Sequence, residues 1–191
     1  MNRKIVKLHG TSGSGKTTVA RGLMEMGHES ALGPNHNRPE AYKVDIPGWS
    51  HPLYVLGPYT AKCGGMDSIS NFDVHIPLLE RYARAGHVFY EGLLASGFYG
   101  KMGQFSEQYG DDHIFAFLDT PLSECVERVK QRRIERGNLK PFNTDNTAAK
   151  AHAIHLLHKK LQTVFKRPVV DIYWGHDPAG QVAKLFGETT T

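Results

Sequence analysis

Residues 10–17 read Gly10-Thr11-Ser12-Gly13-Ser14-Gly15-Lys16-Thr17 and fill the pattern G-x-x-x-x-G-K-[ST] without a mismatch. The pattern carries meaning only between a strand and a helix. Here Ile5-Val6-Lys7-Leu8 is a short β-rich run ending at Gly10, and Thr17-Thr18-Val19-Ala20-Arg21-Gly22-Leu23-Met24 reads as helix directly after Lys16. Glycines let successive backbone N–H groups turn inward as an anion nest, and the helix aims its positive end at the same point. The segment therefore reads as a phosphate-binding loop. Gly10, Thr11, Ser12, Gly13, Ser14, Gly15, Lys16, Thr17 and Thr18 are its expected phosphate-contacting residues. Lys16 adds a mobile charge for β- and γ-phosphates, and the Thr17 hydroxyl is placed to ligate Mg²⁺.

The rest of the chain is consistent with one domain over residues 1–191, large enough for a real core. Hydrophobic content of 40% and charged content of 22% are those of an ordinary globular protein. A formal charge of +4 favours anionic partners only weakly. Two cysteines, Cys63 and Cys125, are too few for a disulfide framework or a zinc knuckle, which fits a reducing cytoplasm. No segment is long and apolar enough for a membrane span, and no signal peptide is expected.

Apolar β-like runs at residues 5–8, 87–90, 114–118 and 168–173 alternate with helical patterns, so a mostly parallel sheet covered on both faces is expected. Residues 41–46 and 52–57 flank Pro47-Gly48-Trp49 and predict an inserted β-hairpin or strand pair. Residues 57–73 predict a long functional loop. A helix over 78–85 is expected to end with Gly86 at its C′ position. Thr120 is expected as N-cap and Pro121 in the first turn of the next helix, closed by Gly137. Its buried stripe is Leu122, Cys125, Val126 and Val129. A last long helix, about 147–165, is expected to turn Ile154, Leu157, Leu161 and Val164 inward.

Several acids and bases are candidates for chemistry. Glu91 ends a buried strand, where ligands of parallel sheets bind, and suits the Mg²⁺ shell or the acceptor hydroxyl. Asp119 ends another strand and reads as a turn organiser. Cys63-Gly64-Gly65-Met66-Asp67 permits a tight turn presenting Asp67 to an acceptor, with Asp45 as competitor. Arg128, Arg132, Arg133 and Arg136 crowd one helix end. Arg133 and Arg136 continue its buried stripe, which suits a lid over about 128–146 gripping a phosphoryl group. Asp171-Ile172-Tyr173-Trp174-Gly175-His176-Asp177-Pro178 is a candidate base-binding loop. His152, His155 and His158 fan by about 60° per step and do not converge on a metal. With Lys150, Lys159, Lys160, Lys166 and Arg167 they form a basic face. It is either a solvated surface or, with the lid arginines, a track for a phosphate backbone.

A regulatory GTPase is excluded. Tyr42-Lys43-Val44-Asp45 lacks the first residue of the guanine-reading motif and comes too early, and Asp177-Pro178-Ala179-Gly180 lies too far along. Motor and AAA-type ATPases need larger cores. With its phosphate loop, arginine-rich lid and final loop, most of the chain resembles the P-loop nucleoside and nucleotide kinase superfamily. That resemblance implies a kinase-type three-layer α/β sandwich that uses ATP and Mg²⁺. More narrowly, Gly57-Pro58-Tyr59, Cys63-Gly64-Gly65-Met66-Asp67 and Phe89-Tyr90-Glu91-Gly92-Leu93-Leu94 resemble bacteriophage 5-hydroxymethyluracil DNA kinases. Met66 stands where such kinases often carry a second cysteine, which speaks against a metal in this loop.

The resemblance implies a γ-phosphoryl transfer from ATP to the 5-hydroxymethyl group of 5-hydroxymethyluracil in phage DNA, in the host cytoplasm. Lys16 and a Thr17- and Glu91-held Mg²⁺ would then grip ATP, Asp67 or Glu91 would orient the hydroxyl, and Arg132, Arg133 and Arg136 would neutralise the phosphoryl group in flight. The base would have to flip out of a duplex, with Tyr54, Tyr59, Phe98 or Tyr99 available to stack on it. A kinase of free nucleosides or nucleotides, and a non-catalytic nucleotide switch, are the alternatives.

Overall fold

In the computed structural model, β1 (Ile5–His9) is central in a seven-stranded sheet ordered β2-β3-β4-β5-β1-β6-β7. The structure describes residues 2–35, 37–61, 64–69, 72–92, 101–138, 140 and 142–188. The strands β4 (Leu53–Leu56), β5 (His87–Glu91), β1, β6 (His113–Leu118) and β7 (Val169–Ile172) run parallel. The side chains of β1, β4, β5 and β6 are almost all buried, as strands covered on both faces require, whereas the edge strand β7 buries only Ile172.

The expected hairpin forms from β3 (Ala41–Asp45) and β4, but it is not an appendage. Its second strand pairs in parallel with β5, so the hairpin extends the main sheet. A further strand, β2 (His28–Leu32), pairs antiparallel with β3 at the edge. Its sequence, His-Glu-Ser-Ala-Leu, has no apolar alternation: four of its five residues are exposed and Leu32 packs against the core from the strand end.

Alternation along the strands sends side chains to two cores. On one side α1 (Lys16–Met24) and α6 (Pro178–Lys184) pack Val19, Leu23 and Val182 against Val6, Leu8, Val55 and Phe89. On the other, α2 (His75–Ala83), α3 (Lys101–Tyr109) and α5 (Asp145–Thr163) pack Leu79, Phe105 and Leu161 against Ile5, Val88 and Phe115. The result is a three-layer α/β arrangement with a mostly parallel sheet.

Some local expectations give way to tertiary contacts. Helix α2 begins at His75, and Gly86 does not adopt a left-handed cap. A side chain at Gly86 would instead strike the Pro52 carbonyl, so close approach explains the glycine. In α4 (Leu122–Glu135) Pro121 takes the N-cap position, and the Thr120 hydroxyl donates to the Ser14 carbonyl at 2.8 Å. Thr120 thus braces the phosphate loop rather than the helix. Cys125 and Val129 are buried but Leu122 is 42% exposed. In α5, Leu157 and Leu161 are buried, whereas Val164 lies just past the helix end and is 67% exposed. Gly137 closes the segment after α4 with φ +70°.

Candidate active site

The loop between β1 and α1 carries two left-handed glycines, Gly13 (φ +86°) and Gly15 (φ +103°). A side chain at Gly13 would collide with the Cys125 carbonyl, so α4 seats directly on the loop. Lys16 Nζ donates to the carbonyls of Gly10 at 2.8 Å and Thr11 at 3.2 Å, which holds the ammonium across the loop. Burial lowers its pKa, against the opposing pull of Glu91 and Asp67.

Across the cavity, Glu91 ends β5 and is 3% exposed. The Thr17 hydroxyl donates to its Oε1 at 3.0 Å. Burial raises the Glu91 pKa, Lys16 and Thr17 draw it down, and Asp67 adds a smaller upward push. Asp67 sits in a single 3₁₀ turn, Met66–Ser68. Two positive-φ glycines bring these acids together. A side chain at Gly65 would overlap the Glu91 carboxyl, and one at Gly92 would overlap the Asp67 carboxyl. Both acids therefore line one cavity of about 580 Å³ with Lys16, Thr17, Arg128 and Arg132.

The arginines divide. Arg128 and Arg132 face this cavity, one helical turn apart. The Arg128 guanidinium also lies 5.2 Å from the ring centroid of Trp174. Arg133 turns to the end of its own helix. It donates to Asn138 Oδ1 and the Lys140 carbonyl, both at 3.2 Å, and stacks 5.4 Å from Phe142. Arg136 caps α4 and is exposed. The structure thus brings Lys16, Thr17, Asp67, Glu91 and Arg132 together, adds Arg128, and sets Arg133 and Arg136 apart from the cavity lining.

Of the loop residues, Ser12, Gly13, Gly15, Lys16, Thr17 and Thr18 line this cavity, whereas Gly10, Thr11 and Ser14 line a second one on the α5 side. Asp45 pairs with Lys43 at 2.7 Å on the exposed part of β3. Asp119 accepts from the Trp174 amide at 2.8 Å and so fixes the turn after β7. Tyr54 and Tyr59 are buried, 8% and 5% exposed, and offer no open ring face. Cys63, Leu93, Leu94, Phe98 and Tyr99 lie outside the described residues. No group of three metal-ligating His, Cys, Asp or Glu occurs among the described residues.

One residue the sequence reading passed over is Lys7. It is fully buried, its ammonium has no hydrogen-bond partner among the described residues, and it lies 5.8 Å from the Tyr90 ring centroid. Burial lowers its pKa to about 8, partly offset by Asp67. A lysine in the middle of the buried run Ile5-Val6-Lys7-Leu8 is the signal that marked it.

No protein-family model matches the chain. Over 163 residues it is 37% identical to a 5-hmdU DNA kinase of Pseudomonas phage PaMx11, spanning 83% of this chain and 85% of that protein. The chain belongs to the 5-hmdU DNA kinase family. It is also 30% identical over 183 residues to the 5-hmdU DNA kinase of Pseudomonas phage M6, across 90% and 91% of the two chains. The 5-hmdU DNA kinase of Delftia phage PhiW-14 matches at 25% identity, across 76% of this chain and 59% of its own. As a member of this kinase family the chain is a phosphotransferase. Among the described residues no helix is long and apolar enough to cross a membrane.

Proposed function

We propose that this kinase transfers the γ-phosphoryl group of ATP to the 5-hydroxymethyl oxygen of 5-hydroxymethyluracil in DNA. The observation that carries the reading is the pair of carboxylates, Asp67 and Glu91, held opposite Lys16 in one cavity, in a chain related to phage kinases of that name.

The two acids divide by their partners. Glu91 accepts from Thr17, the loop hydroxyl suited to Mg²⁺, so these two hard oxygens 3.0 Å apart are the residues that would hold the ion. Bound there, Mg²⁺ supplies charge neutralisation at the β- and γ-phosphates. Asp67, on the 3₁₀ turn beside Gly92, is assigned to the acceptor. It orients the hydroxymethyl oxygen and takes its proton as the new O–P bond forms and the β–γ bridging bond breaks, leaving ADP. Arg128 and Arg132 grip the phosphates from the α4 side, in the place of the lid read over residues 128–146. The Trp174 ring beside Arg128 and the turn tied by Asp119 offer a platform for the donor base.

The test offers γ-labelled ATP with DNA containing 5-hydroxymethyluracil, with unmodified DNA and with free nucleosides. Label on the modified DNA alone is expected, and Lys16→Ala is expected to abolish it. Label on free nucleosides alone would sink the DNA acceptor. Undiminished transfer by Lys16→Ala would sink the catalytic role of the loop.

A further inference from the structure

Helix α1 carries a second polar residue one turn after Thr17 and on the same stripe: Arg21. Thr17 donates to the Glu91 carboxylate at the end of β5. Arg21 reaches the segment that precedes the other acid. Its Nη2 donates to the carbonyls of Tyr59 at 3.3 Å and Ala61 at 2.6 Å, on the way to Asp67. One stripe of the helix is thus bonded to both parts of the chain that carry the paired acids.

An arginine beside a row of acids ordinarily makes a surface ion pair, which is worth little. Arg21 shares a cavity of about 580 Å³ with Glu124, Glu127 and Glu135 of α4. Glu124 pairs with Arg128 at 3.5 Å and Glu127 with Lys130 at 3.6 Å, both within α4. The Arg21 guanidinium turns instead to two backbone carbonyls. Such a bond fixes the course of the chain, whatever side chains that chain carries.

The braced segment is packed so that it passes the grip on. A side chain at Gly57 would strike the Gly65 backbone, and one at Gly64 would strike the Pro58 carbonyl and the Tyr59 ring. Tyr59 itself is buried, and its amide donates to the Tyr42 hydroxyl at 3.3 Å. The limb that Arg21 holds therefore lies against the limb that enters the Met66–Ser68 turn. A shift of the first limb reaches Gly65, two residues before Asp67. About 1 Å of misplacement at a reacting group can cost about 10²-fold in rate.

Resting on the reading of Asp67 as the acceptor-side acid, we propose that Arg21 is a positioning residue of the transfer reaction. It ties the segment that presents Asp67 to the helix that opens on the phosphates, so the attacking oxygen and the phosphoryl group share one frame. Arg21 is not part of the lining of the transfer cavity. It acts through the Tyr59 and Ala61 carbonyls.

The test measures steady-state transfer of labelled phosphate to DNA containing 5-hydroxymethyluracil by wild type, R21A, D67N and R21A/D67N, with the ADP affinity and urea midpoint of each. R21A is expected to lower kcat by about 10–10²-fold with ADP affinity unchanged. R21K, which keeps N–H donors, is expected to recover most of that loss. In the D67N background R21A is expected to cost no more than about twofold, because residues that act as one unit are not additive. Transfer by R21A at the wild-type rate, or its full cost in the D67N background, would overturn the proposal and leave Asp67 standing. Wild-type turnover by D67N would overturn both. If R21A folds poorly, R21M keeps the stem packing without the donors and takes its place in the cycle. If wild type labels only the free nucleoside, the DNA acceptor falls and the same cycle is run on that nucleoside.

Discussion

On the side of the sheet facing α1 and α6, β1 presents Val6 and Leu8, and β5 presents Phe89, all fully buried among apolar neighbours. On the opposite side the same two strands present Lys7, His9 and Tyr90, with His113 from β6 beside them. Among the described residues Lys7 Nζ, His9 Nε2 and His113 Nδ1 are buried without hydrogen-bond partners, while Tyr90 meets His113 Nε2 at 2.9 Å. Burial, reinforced by the Lys7 charge, holds both histidines well below their ordinary pKa. An unpaired buried polar group costs about 1–3 kcal/mol and a charge costs more. The face under α1 and α6 is therefore dry behind the phosphate loop, whereas the opposite face retains an expensive polar seam. Natural sequences keep such locally unfavourable choices mainly at functional sites.

The largest test separates the acids that close the two faces. Glu91 points to the α1 side through Thr17, and Asp67 rides on the turn beside Gly92. Asp67→Asn is expected to lower kcat by about 10²–10⁴, the usual range for a positioned acid or base, with KM for ATP little changed. Glu91→Gln is expected to raise the Mg²⁺ concentration needed for half-maximal rate. Steady-state kinetics over ATP and Mg²⁺ distinguish them. If the two variants show the same profile, the division of labour is wrong.

The next test is on α4, whose two pairs of arginines differ in direction. Arg132→Ala is expected to cost about 10²–10³ in kcat, as for a lost donor to developing charge. Arg133→Ala removes bonds to Asn138 and Lys140 and the stack on Phe142, all away from the cavity lining. It is expected to stay within about 0.5 kcal/mol, a factor of two to three, as surface changes do. Equal losses in turnover would show that α4 turns on closing and presents both.

These contrasts mark where the sequence was readable. The phosphate loop was, because each residue of its motif answers to a local backbone need between a strand and a helix. The parallel β-runs at residues 5–8, 87–90 and 114–118 were, because burial on both faces leaves largely apolar segments. The arginine assignment was harder. Extending the stripe from Leu122 points to Arg133 and Arg136, but Leu122 is exposed and the packing of Cys125 on Gly13 sets the phase that turns Arg128 and Arg132 to the cavity. Strand β2 left no apolar trace, since its partner supplies only backbone hydrogen bonds at an open edge. The meeting of Asp67 with Glu91 depends on contacts between segments far apart in the chain, which no local pattern encodes.

The finest contrast is between neighbours. Leu8→Ala, on the dry face, is expected to destabilise by about 2–5 kcal/mol. Lys7→Met, one residue away on the polar face, is expected to do the reverse. Its pKa is about 8 in the folded protein against 10.5 for an ordinary lysine. Below pH 8 the ammonium is charged in both states, so the folded state bears the full penalty of burial. Between pH 8 and 10.5 the folded protein loses the proton first, and wild type gains stability as pH rises through that window. The shift corresponds to about 3 kcal/mol at 1.36 kcal/mol per pH unit. Lys7→Met should therefore exceed wild type by about that amount at pH 7 in urea denaturation, with the difference closing towards pH 10.5. A variant less stable than wild type at pH 7 would mean the ammonium is satisfied by its surroundings. A more stable variant with reduced turnover would show that the charge is kept for the reaction, acting on Asp67 from behind the sheet.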